Sequence, residues 1–299
     1  MLSICIPVYN FDVRSLVEKL ISQGDQLNIA YELILIDDCS NENFQKINRF
    51  EHKNIKQIQL TKNVGRAKIR NLFLEYINFE NLLFLDCDSL IVNDLFLKNY
   101  IEEINKNEFK VICGGRVYPE ICPSRKQRLS WKNGYFKESK TAEERKLVPN
   151  KSFMTNNFLI KNDVLEKIKF DERLVLYGHE DTLFGFHLSN DKIEIMHVEN
   201  PVLNGDIETN ENFLKKTEQG IVNLISIYKR IESRDLFAEN VSLISYYNKI
   251  KQKNLTGIVG FTFNLTKPLL HFLFVNAIVN LKLFNFYKLG IFLKNYKTK

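Results

Sequence analysis

The feature that most narrows the fold is a rhythm of short apolar runs: LSICIPV (2–8), ELILID (32–37), IKQIQL (55–60), LLFLD (82–86) and KVICGG (110–115). ELILID and LLFL are continuous, as expected of strands buried on both faces. IKQIQL alternates, like a strand with one wet face. Between the runs the period changes. Val13, Leu16, Val17, Leu20 and Ile21 recur at helical spacing, a second helix is expected over 66–77, and Leu95, Phe96, Tyr100, Ile101 and Ile104 form a third helical face. Strand and helix in alternation build βαβ units around a mostly parallel sheet, so the fold class is α/β. In such sheets a ligand crevice opens beyond the carboxyl ends of the strands.

What stands at those ends is polar. Tyr9 and Asn10 follow the first run, Asp37 and Asp38 end the second, and Asp86 and Asp88 end the fourth. One aspartate there is an ordinary cap or turn residue. Three such sites on one edge are better explained by a shared ligand. Asp86 and Asp88 bracket Cys87 where the chain leaves the sheet, so both carboxylates can reach one cation. Hard oxygen ligands suit Mg²⁺ or Mn²⁺ held partly by a substrate diphosphate. NVGRAKIRN (63–71) is a glycine-containing turn entering a basic helix, a place for phosphates. Neither a dinucleotide-binding glycine fingerprint nor a Walker loop occurs.

The second half is less regular. Residues 120–152, punctuated by Pro123 and Pro149, read as a mobile connection or lid, or as a solvated loop. SFMTNNFLI (152–160) and KIEIMHV (192–198) return to strand character. Between them a Gly-His-Glu-Asp cluster opens a helix. There Glu180 or Asp181 complements the helix dipole or serves as a general base for an acceptor hydroxyl. Ile221, Leu224, Ile225, Tyr228 and Ile231 mark an amphipathic helix.

Charge is unevenly distributed. The net charge is +6, yet 251–299 carries eight lysines and no acidic residue, so 1–250 is slightly acidic and nucleic acid is not an expected partner. The tail carries nine Phe or Tyr residues over 261–296. Its longest uncharged run, 268–281, falls short of the ~20 residues that cross a bilayer. An interfacial helix pair at the inner-membrane surface is expected, against helices packed on the domain or a homodimer seam. The five cysteines form no CxxC pair and the first strand has no basic leader before it, so a reduced, cytoplasmic protein is expected.

Taken in order, IPVYN (6–10), IDDCS (36–40), NVGRAKIRN (63–71), LDCDS (85–89), GGR (114–116) and GHEDTLFG (178–185) resemble family 2 of the nucleotide-sugar glycosyltransferases, bacterial type. The resemblance implies a GT-A fold, a Rossmann-like sandwich, over a domain at 1–230, with a helical, basic and aromatic extension at 231–299. It implies an inverting transfer from a nucleotide-sugar donor, a UDP-sugar, to a glycan or lipid-linked acceptor in cell-envelope or exopolysaccharide synthesis. Pro7, Tyr9 and Asp38 would line the nucleotide pocket, Asp37 would support that loop, and Arg66 and Arg70 would approach the diphosphate. Asp86 and Asp88 would be the family's DXD pair, binding Mn²⁺ or Mg²⁺. Asp181 is the first choice for base and Glu180 the second.

One departure stands out. Many relatives place a metal-binding histidine some way after the acidic pair, where this chain has Asn204; the nearest histidine is His197, inside an apolar run, where a structural role is the commoner one. Asn204 or Asp206 then becomes the alternative oxygen ligand. Nucleotidyl transfer, which would want a glycine-rich phosphate loop in place of IPVYN, ranks low. A catalytically inactive donor-binding scaffold at the membrane is the non-enzymatic alternative.

Overall fold

In the computed structural model, which describes residues 1–106 and 108–296, the apolar rhythm is realised strand by strand. The last three residues of the expected 231–299 extension lie outside the described residues. The strands are β1 (Leu2–Val8), β2 (Tyr31–Asp37), β3 (Ile55–Gln59), β4 (Asn81–Leu85), β5 (Ser89–Leu90), β6 (Val111–Cys113), β7 (Arg116–Val117), β8 (Asn157–Lys161), β9 (Ile195–His197) and β10 (Val202–Asn204). The chain divides into two compact units, each assembled from several segments. The first comprises Met1–Val117, Ser139–Val175 and His187–Asp206; the second comprises Tyr118–Glu138, Leu176–Phe186 and Ile207–Lys299.

The first unit holds both sheets. A seven-stranded sheet runs β3-β2-β1-β4-β8-β6-β9, and a three-stranded one runs β5-β10-β7. Within the large sheet only β8 is antiparallel to its neighbours. The central strands are apolar on both faces because helices cover both. Leu82 to Leu85 are at most 1% exposed, and the edge strand β3 keeps Lys56, Gln57 and Gln59 in water. Leu16, Val17 and Leu20 of the Arg14–Gln26 helix share one core with Phe96, Leu97 and Tyr100 of the Phe96–Lys106 helix. Both helices lie where expected, except that Leu95, read as part of the second face, precedes the helix and is exposed, and Leu97 is buried in its place.

Strand order places the crevice. The chain steps outward from β1 to β2 to β3, then returns to the other side of β1 with β4. The order therefore reverses between β1 and β4, the place where open α/β sheets bind ligands. The ladders part there as well. β1 pairs with β2 up to Val8↔Asp37, but its pairing with β4 ends at Cys5↔Phe84.

The stretch 120–152 departs from expectation: it is a series of short helices, Arg128–Asn133 and Ala142–Lys146 among them. The second is started by a capping box, in which Thr141 accepts from the Glu144 backbone and Glu144 answers on the Thr141 backbone.

The second unit is helical. The Asn210–Arg230 helix begins well before Ile221 because Thr209 caps it, accepting from the Asn212 N–H. Beyond it lie Arg234–Asn240, Ser242–Gln252, Thr256–Val275 and Leu281–Tyr296. The last two pack through edge-on aromatic pairs, Phe263 with Tyr287 at 5.6 Å and Phe274 with Phe284 at 5.7 Å. By length and composition alone, Thr256–Val275 is sufficient to cross a membrane. Counting uncharged residues missed this, because the helix includes Lys267, which pairs with Glu218 at 3.3 Å.

Candidate active site

β4 delivers Asp86 to the crevice. Its backbone N–H donates to the Asn156 carbonyl at 3.1 Å, and its Oδ1 accepts from Arg70 Nη2 at 2.8 Å. Arg70 was expected at the diphosphate. It is instead 2% exposed, one turn into the Arg66–Leu72 helix, with Nη1 on the Arg66 carbonyl and its guanidinium over the Phe170 ring. A buried carboxylate needs a counter-charge, and a side chain one turn into this helix supplies it. Arg70 therefore holds Asp86 in place. Arg66, at the helix start, is exposed.

Asp88 is held from the other side. Its Oδ2 accepts from Arg116 Nη2 at 3.2 Å, and the same nitrogen reaches Asn204 Oδ1 at 3.1 Å. Pairing in the small sheet sets Asn204 opposite Ser89, and the Gly205 N–H donates to the Asp88 carbonyl at 2.8 Å. A Cβ at Gly205 would lie 2.7 Å from that oxygen, so the approach requires glycine. Asn204, distant in sequence, thus stands beside the acidic pair. Arg116 is the site residue that sequence reasoning missed; the GGR motif was the available signal. It follows Gly115, whose φ of +91° is a glycine conformation.

Asp88 has its pKa raised, first by burial and then by the Asp86 and Asp206 charges, which the Arg116 and Arg66 charges oppose. Cys87 is pushed up to about 12, chiefly by burial and then by both neighbouring carboxylates, so it remains a neutral thiol. Each carboxylate commits one oxygen to an arginine. Two carboxylates crowded into one partly desolvated place, with an amide oxygen adjacent, fit a hard divalent cation. Among the described residues no group of three His, Cys, Asp or Glu side chains could hold a metal by itself.

On the β1 and β2 side, Tyr9 is 52% exposed, Pro7 is half-buried, and the Cys87 thiol lies against the Tyr9 backbone. Asp37 Oδ1 accepts from the Ser40 N–H at 2.7 Å, and Ser40 Oγ accepts from the Asn10 N–H at 2.8 Å, bracing the turn. Asp38, 5% exposed, takes the Val64 N–H at 2.6 Å on one oxygen and the Gly65 N–H at 3.0 Å on the other. It ties the NVGR loop to the sheet edge. Gly65, at φ +82°, then starts the basic helix.

His197 is not available to a metal. It is 1% exposed in β9, its Nδ1 accepts from Arg145 Nε at 3.2 Å, and its Nε2 meets the Pro149 carbonyl at 3.0 Å. Burial, with the nearby cationic Arg145, lowers its pKa to about 4. The protein consumes both ring nitrogens. Arg145 also donates to the Gly114 and Val198 carbonyls, and a Cβ at Gly115 would sit 2.3 Å from its guanidinium. The arginine–histidine pair braces the turn that presents Arg116.

Glu180 and Asp181 belong to the second unit and form the first turn of the Glu180–Asn190 helix. Gly178 and His179, both at positive φ, make the sharp entry. Glu180 is 7% exposed, whereas Asp181 is half-buried and accepts from the Thr182 N–H at 2.6 Å. Of the two, Asp181 is the more accessible carboxylate.

The open, mostly parallel central sheet flanked by helices is the architecture of GT-A sugar-transfer enzymes. Residues 3–169, more than half of the chain, match Glycosyl transferase family 2, and the protein belongs to that family. It is 28% identical over 222 residues to chondroitin synthase of Escherichia coli, covering 62% of this chain and 32% of that protein, so it spans about a third of that relative's length. It also resembles, at 20% identity and TM-score 0.53, TarS of S. aureus in complex with UDP-GlcNAc, covering 99% of this chain and 89% of that one. A mannosyltransferase from Pyrobaculum calidifontis in complex with GDP-Man and Mn²⁺ has TM-score 0.57 at 12% identity, covering 100% and 87%. These likenesses establish the fold, and the family establishes a glycosyltransferase.

Proposed function

We propose that this glycosyltransferase moves a sugar, with inversion, from a UDP-sugar to a hydroxyl of a glycan or lipid-linked acceptor in cell-envelope or exopolysaccharide synthesis, working in the cytoplasm. The observation that carries the reading is the pair of arginine-held carboxylates, Asp86 and Asp88, at the switch point of a family 2 chain. They would hold Mn²⁺ or Mg²⁺, whose charge offsets the negative charge gathering on the departing nucleoside diphosphate. The mannosyltransferase of related fold in complex with GDP-Man and Mn²⁺ supports this choice.

The chain's own residues do the rest. The exposed Tyr9 ring offers a stacking face for the base. Asp38 shapes the pocket through the NVGR loop, and its carboxylate oxygens keep lone pairs for a base or ribose donor. The exposed Arg66 guanidinium meets the phosphates. Arg70 and Arg116 keep the two carboxylates oriented, and Asn204 supplies an amide oxygen beside them. Asp181 takes the proton of the acceptor hydroxyl as its oxygen bonds to the anomeric carbon and the bond to the diphosphate breaks. No enzyme nucleophile is required.

The test is Mn²⁺-dependent turnover of a nucleotide-sugar panel, with Asp181→Asn in parallel. The variant should keep donor binding and lose transfer by about 10²–10⁴-fold. Retained transfer would move the base to Glu180. A folded wild-type protein that neither binds nor turns over any donor would make this chain an inactive scaffold.

A further inference from the structure

We infer that the bare face of the Thr256–Val275 helix docks on an anionic lipid surface, with the helix lying along the interface. The helix is rich in apolar residues on two opposite sides. Phe263, Leu270 and Phe274 are buried, while on the opposite side Ile258 is 66% exposed, Phe261 67%, Leu265 67%, Leu269 58% and Phe272 60%. Their steps of three and four residues align them in one stripe, roughly 21 Å long at the helical rise. A water-facing helix normally carries its charges there. This stripe has none. The helix's one ionic side chain, Lys267, lies on the other side, held by Glu218.

Charge decides what covers the stripe. The segment 251–299 has eight lysines and no acidic residue, and Lys251, Lys253 and Lys282 are exposed just beyond the two ends of the helix. A second copy would bring the same positive field to the contact. Anionic headgroups complement it, and an apolar face between basic ends is the pattern of an interfacial helix. Spanning is disfavoured because the reverse face is already packed: a Cβ at Gly290 would lie 2.0 Å from the Phe263 ring, and Phe274 stands edge-on to Tyr287 at 5.7 Å. Crossing a bilayer would dismantle those contacts.

The experiment is co-sedimentation of the full chain with vesicles of phosphatidylcholine alone and of phosphatidylcholine with phosphatidylglycerol. Binding should require phosphatidylglycerol and weaken as salt rises. In the double variant Phe261→Glu, Leu265→Glu, both sites being exposed, vesicle affinity should drop more than tenfold while donor hydrolysis without vesicles is unchanged. Equal binding to both vesicles, or wild-type binding by the folded double variant, overturns the inference. So does a dimer that the double variant abolishes in a chain that ignores vesicles, which assigns the stripe to a second copy. Resistance to alkaline extraction likewise overturns it, in favour of a span. A chain that binds vesicles but turns over no donor would keep this inference and lose the transferase reading.

Discussion

β4 and the Thr256–Val275 helix are both strongly apolar, and they dispose of that surface in opposite ways. Leu82 to Leu85 vanish into the sheet and leave only the carboxylates that follow them at the crevice. The helix buries one side and leaves five large apolar residues in water. In the first case the costly group on show is charge, and two arginines answer it from within the same unit. In the second it is hydrocarbon, and nothing described in that unit covers it. A charge answered internally prepares a site for a small ionic ligand. Hydrocarbon left unanswered prepares a surface for something large.

The sharpest way to break this contrast is at Arg70. Arg70→Ala leaves Asp86 charged and largely buried without its partner, which should cost about 4 kcal/mol of stability in denaturant titration. Arg116→Ala, whose pair is more open to water, should cost about 1 kcal/mol. Equal costs would mean that both arginines serve the fold alone. Next come two leucines. Leu83→Ala empties a fully buried site and should cost about 3 kcal/mol. Leu265→Ala, exposed on the stripe, should stay within about 0.5 kcal/mol. A large loss at Leu265 would show that the stripe is covered within the chain.

A further effect is in pH. The folded protein holds His197 near pKa 4, below its ordinary 6.5, so in that window the unfolded chain takes up a proton that the folded one refuses. Stability is full above 6.5 and falls as pH drops, by about 2 kcal/mol at pH 5 from this group. His197→Gln should flatten that part of the curve. An unchanged slope would remove the buried, neutral histidine from the account.

Much of the crevice was legible because strand ends are set by period and composition alone. Continuous runs such as LLFL announce strands covered on both faces, and residues just past them fall on one edge of the sheet. That logic placed Tyr9, Asp37, Asp38, Asp86 and Asp88 correctly relative to their strands. It failed wherever long-range pairing decides. Nothing in VLN announces that β10 would pair with β5 and carry Asn204 to Asp88, and nothing in GGR says which carboxylate Arg116 will meet. Arg70 misled because a basic residue near a phosphate motif reads as a phosphate ligand, whereas helix direction turns it inward. The 120–152 helices were missed because the capping box at Thr141 lies in a stretch dense with charge. In the tail, a count of uncharged residues cannot see that one lysine is paired.

The central claim is that Asp88 helps to hold a cation through which the donor binds. Titration calorimetry of UDP into the protein with and without Mn²⁺ tests it most directly, comparing wild type with Asp88→Ala. The account predicts Mn²⁺-dependent binding in the wild type and at least a tenfold loss, about 1.4 kcal/mol, in the variant, with thermal stability preserved. Equal, Mn²⁺-dependent affinity for UDP in the two proteins would contradict it.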